Sequence, residues 1–86
     1  MTVKEQLEKL ADNEGEMTIV PEGNDEQSLK AFQGEVRRLR ALADEEIIEI
    51  VGKPHQESRT GKRYIDRVRV RLTASGDELR EALRDE

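Results

Sequence analysis

Residues Tyr64 to Thr73 alternate in character, and this run constrains the fold more than any other part of the chain. Tyr64, Val68, Val70 and Leu72 fall on one side, with Asp66 the lone polar interruption; Ile65, Arg67, Arg69, Arg71 and Thr73 fall on the other. Successive side chains of a strand point to opposite faces, so the run predicts a half-buried strand with one apolar and one arginine-rich face. Three arginines at alternate positions repel one another by roughly the few tenths of a kcal/mol that a favourable cross-strand pair gains. They call for compensation by carboxylates, by a polyanion or by water. Such a strand also needs partners to cover its apolar face.

The rest of the chain supplies them. Ile47-Ile48-Glu49-Ile50-Val51 is β-branched and too short for an independent helix, so it reads as a second strand. Residues 52–63 between the two are polar, with Pro54 near the start and Gly61 near the end, and read as a loop of about a dozen residues, a length at which loops often carry function. Together these segments predict a long β-hairpin. Leu29, Phe32, Val36, Leu39 and Leu42 recur three or four apart and predict helix from Asn24 or Asp25, either residue a suitable N-cap, to about Asp44. Gly34 leaves open one long helix or two that meet at a turn. Near the start, Thr2 and Glu5 have capping-box spacing ahead of Val3, Leu7 and Leu10; Ser75 and Glu78 repeat that spacing ahead of Leu79, Ala82 and Leu83. Met17 to Val20 is a brief β-prone run stopped by Pro21. The order is helix, short strand, one or two helices, strand, loop, strand, helix.

Composition bounds what these elements can build. With 86 residues, 34% hydrophobic and 41% charged, the chain predicts one small domain with a thin core. No apolar stretch approaches a membrane span and no leader pattern opens the chain, so the expected setting is cytoplasmic and a membrane is not an expected partner. The absence of cysteine excludes a disulfide framework and a thiolate metal site. The net charge of -5 is unevenly spread. Residues 1–29 carry two Lys against eight acids, residues 30–75 eleven Lys and Arg against seven acids, and residues 76–86 two Arg against five acids. A basic middle lies between acidic ends, and local potential rather than the total decides what a surface attracts.

Two strings, Leu39-Arg40-Ala41-Leu42-Ala43-Asp44-Glu45-Glu46-Ile47-Ile48 and Val70-Arg71-Leu72-Thr73-Ala74-Ser75-Gly76, together with the element order, resemble the winged helix-turn-helix domain of bacterial regulators of the MarR and PadR kind. The first string is similar to the end of that family's recognition helix and its first wing strand, the second to the junction closing the wing. The resemblance covers residues 35–80 and implies a small α+β winged-helix-like domain, with three or four helices, a short strand and a long β-hairpin wing. The chain has Glu46 where the family often has Gly, and residues 24–33 leave little room for a separate helix before the recognition helix. The resemblance further implies transcription regulation through double-stranded DNA. Arg37, Arg38 and Arg40 would be the helix contacts, Arg59, Lys62 and Arg63 the wing contacts, and family members usually bind as dimers. Arginine can pair in a fork with guanine or phosphate, and several cations on one wing would give salt-sensitive affinity.

The same charges fit plainer roles. Arg37, Arg38 and Arg40 could pair with Glu35, Asp44 and Glu45 at helical spacing, and Glu49 could lie opposite a strand arginine, with the acidic terminal segments over others. The alternative function is therefore a protein-interaction module on the same fold without independent DNA binding. His55 stands alone as a ligand type, which gives no metal site and no cofactor. Thr60-Gly61-Lys62 matches the end of a phosphate-binding loop but lacks the Gly-rich run before it and a helix after it. No nucleophile is paired with a base, and the acid pairs Glu45-Glu46 and Asp85-Glu86 have no apolar pocket, so an enzyme is not expected.

Overall fold

The computed structural model describes residues 1–84, without the side chain of Arg59. The first helix, α1 (Val3–Asn13), starts at Thr2, whose hydroxyl accepts the Glu5 N–H at 3.0 Å while the Glu5 carboxylate accepts the Thr2 N–H at 3.1 Å. The reciprocal box satisfies two otherwise orphan donors. The bonds from Thr2, the backbone one foremost, hold the Glu5 carboxyl below its ordinary value of 4.5. Glu14 ends the helix in the left-handed region with φ 47°, and its N–H bonds Leu10 O at 2.8 Å. The chain then forms β1 (Glu16–Ile19), α2 (Glu26–Asp44), β2 (Ile48–Ile50), β3 (His55–Arg59), β4 (Lys62–Leu72) and α3 (Gly76–Arg84).

Three helices and a four-stranded antiparallel sheet make an α+β structure. β4 is central, between β1 and β2, and its tip-ward half pairs with β3. The period-two reading of β4 is borne out: Tyr64, Val68 and Val70 are buried, while Arg67, Arg69 and Arg71 are exposed. The helices lie against the buried face. Leu29, Phe32, Val36, Leu39 and Leu42 bury the stripe expected of α2, and Val3, Leu7 and Leu10 of α1 meet Leu79 and Leu83 of α3 beside it. The apolar stripes of the two terminal helices are thus covered within the chain.

One open alternative is decided and one expectation needs correction. Residues 24–44 hold one helix, not two, and the helix count is three. Asp25 caps α2 by accepting the Ser28 N–H at 3.1 Å, and the helix runs through the exposed Gly34 without a break. One residue worth ~1 kcal/mol cannot interrupt an apolar stripe that buries five large side chains. Residues 52–63, expected as a loop, are not one long loop. Most of them extend the hairpin, with Arg59 paired to Lys62 across a two-residue turn. Thr60 at φ 49° and Gly61 at φ 78° give that turn the two positive φ values of type I′, whose twist matches that of its strands.

Helix and sheet are also joined through two glutamines. The buried Gln6 of α1 donates from Nε2 to Val20 O at 2.7 Å and accepts the Val20 N–H at Oε1 at 2.9 Å. Gln33 of α2 treats Ile65 in the same way, donating to its O at 2.8 Å and accepting its N–H at 3.1 Å. Each amide takes the bonds that a neighbouring strand would offer, closing part of a sheet edge.

Candidate interaction surface

The contacts of Gln33 with Ile65, and of the Tyr64 hydroxyl with Glu26 at 3.2 Å, place the first half of α2 beside the base of the β3–β4 arm. The end of α2 leads into β2, which pairs with the far end of β4, so α2 and β4 run in the same sense. Arg37 and Arg40 therefore lie about 6 and 10 Å beyond Gln33 along the helix axis, at 1.5 Å per residue. Lys62 and Arg63 lie about 7–10 Å the other way along β4, at 3.3 Å per residue. Of the six residues singled out in the sequence, the five whose side chains are described do not form one cluster. Arg37 and Arg40 are exposed on α2; Arg38 is half-buried, turned toward α1 and paired with Glu35 at 3.6 Å; Lys62 and Arg63 stand at the tip of the arm. Arg59 belongs to β3, and its side chain lies outside the described residues. Arg37, Arg40, Lys62 and Arg63 make no ion pair among the described residues.

The strand arginines are compensated by the chain's own acids. Arg71 has Glu16 as its cross-strand neighbour on β1 and Glu49 on β2, and its Nη2 reaches the Glu49 carboxylate at 2.8 Å. Arg69 pairs with Glu16. These are exposed pairs, each worth at most ~1 kcal/mol, so their main effect is on the local field. On the uncovered sheet face, Glu16 and Glu49 offset two of the arginines that β4 presents there, Arg69 and Arg71. The pairing of Glu49 was legible in the sequence; the approach of Glu16 was expected only as an acidic end segment lying over the arginines.

His55 is exposed, and its Nδ1 meets the Asp66 carboxylate at 2.5 Å. That contact accounts for the polar interruption on the apolar side of β4. It falls where the β3–β4 register shifts, between His55 and Gln56.

Sequence reasoning missed the edges of the sheet. Val51 N–H bonds Arg69 O at 2.8 Å and Thr73 N–H bonds Ile47 O at 3.1 Å, so Ile47, Glu49 and Val51 direct their backbone groups to β4. Antiparallel pairing alternates, which turns the N–H and C=O of Ile48 and Ile50 outward. On β1, Leu72 N–H bonds Gly15 O at 2.9 Å, which by the same alternation turns Glu16, Thr18 and Val20 outward, and Gln6 covers only Val20. Beside β2 an open groove of about 560 Å³ is lined by Ala43, Glu46, Ile48, Glu49, Ile50 and Thr73. Its charged residues among the described ones, Glu46 and Glu49, are both acids. The signal for an open edge would have been the β-branched run at 47–51, but sheet order is needed to know that the run lies outermost.

Among the described residues, no helix is long and apolar enough to cross a membrane. No protein-family model, no curated protein and no solved structure matches the chain.

Proposed function

We propose that the chain is a protein-interaction module on a winged-helix-like plan, without independent DNA binding. The observation that carries this reading is the compensation and dispersal of the basic residues: Glu16 and Glu49 accompany Arg69 and Arg71, while Arg37 and Arg40 stand on α2, Arg67 on mid-β4, and Lys62 and Arg63 at the arm tip. A protein that holds DNA needs several cations presented together, because its affinity comes largely from counterions released along the phosphate backbone. A module that docks proteins needs no such field and can use an uncovered sheet edge.

One observation favours the other reading, transcription regulation through double-stranded DNA. Lys62 and Arg63 are exposed at the tip of a projecting hairpin in a molecule 40 Å along its longest dimension. Anisotropy titration of the protein into a labelled random duplex separates the two. The module reading expects no binding even at ~50 mM salt. Binding that weakens steeply between low and moderate salt, and is lost in Lys62→Glu/Arg63→Glu, would restore the regulator and overturn the module.

A further inference from the structure

Across the uncovered face of the sheet, Glu16, Arg71 and Glu49 form one cross-strand row of alternating sign that ends in a carboxylate at both edges. A second copy approaching either edge would set carboxylate against carboxylate, an arrangement that opposes pairing. Edge β2 otherwise has what an added strand needs: outward backbone groups at Ile48 and Ile50, two aliphatic side chains on the helix-covered side, and a groove whose charged residues, Glu46 and Glu49, are both acidic. The β1 edge is less accommodating, since Gln6 already occupies it at Val20.

We infer that β2 is a docking edge for an extended segment of another protein with the pattern apolar–basic–apolar, which adds as a strand with its basic residue opposite Glu49. The inference rests on the interaction-module reading and names the partner's chemistry. The segment's two apolar side chains lie beside Ile48 and Ile50 in the groove, and its backbone bonds the four outward groups of those residues. Its Lys or Arg extends the row to a fourth member of alternating sign. Backbone bonds supply affinity without regard to sequence, and the side chains supply the selection.

The probe is the capped peptide Thr-Val-Arg-Val-Thr, added at millimolar concentration to the isotopically labelled full chain, with backbone amide shifts and hydrogen exchange as the readout. The expected result is a saturable shift and slowed exchange at Ile48 and Ile50. The same peptide with Glu at its centre is expected to bind about five- to tenfold more weakly, the scale of a cross-strand charge reversal. Ile50→Pro removes one outward N–H and leaves the bonds of β2 to β4, so it is expected to abolish binding while circular dichroism stays unchanged; should it unfold, the peptide comparison still decides. Equal binding of the Arg and Glu peptides, protection at Glu16 and Thr18 instead, or no shift with the Arg peptide would overturn the inference and leave the module reading standing. Shifts at Ile48 and Ile50 on concentrating the protein alone would assign the edge to a second copy and overturn it too. Salt-sensitive duplex binding without peptide binding would remove both readings.

Discussion

Tyr64 is buried, and its hydroxyl donates to the Glu26 carboxylate at 3.2 Å. Burial first, then the bond to Glu26 and its negative charge, raises the phenol above its ordinary 10.0. A group raised on folding contributes stability that is complete below pH 10 and is lost as pH climbs through the raised value. As the chain has one tyrosine and no tryptophan, ultraviolet absorbance follows this group alone. The expected midpoint lies above 10 in the native protein. Glu26→Gln is expected to lower it without returning it to 10, because burial remains; an unchanged midpoint would mean that the contact with Glu26 has no electrostatic weight.

At the scale of elements, two glycines should respond in opposite ways. Gly34 is helical, exposed and surrounded by open space, so Gly34→Ala is expected to stabilise the protein by ~0.5–1 kcal/mol. Gly76 opens α3 against α1, where a Cβ would overlap the Ala11 carbonyl oxygen. Gly76→Ala is expected to cost ~1–3 kcal/mol as the helices are forced apart. Urea midpoints measure both, and a stabilising Gly76→Ala would show that α1 and α3 do not approach so closely. α2 and β4 were legible in the sequence because each buries one face, and a buried face writes its period into the chain. β3 was not: Gln56 and Ser58 are exposed and Glu57 is only half-buried, so its polar residues carry no apolar alternation. Its turn is Thr60-Gly61 rather than the usual Asn-Gly, which hid the hairpin tip. The pairing of Arg71 with Glu49 could be anticipated from alternation alone. The open edge at Ile48 and Ile50 could not, since it depends on which strand ends up outermost.

For the whole molecule, Val70 decides whether the sheet is built as described. It is fully buried at the centre of β4, opposite Met17 on one side and Ile50 on the other. Val70→Asp places an unpaired carboxylate there, a cost comparable with the ~5 kcal/mol that holds a marginal domain together. Its expected outcome is loss of the helical circular dichroism signal at room temperature; a folded variant would mean that another residue fills this position. The Gln33 amide, bonded to Leu29 O within its own helix and to both backbone groups of Ile65, has a mechanical consequence. With the Tyr64–Glu26 bond it works as a fulcrum: a swing of the arm beyond Tyr64 strains both contacts, and a load applied at its tip reaches the first half of α2.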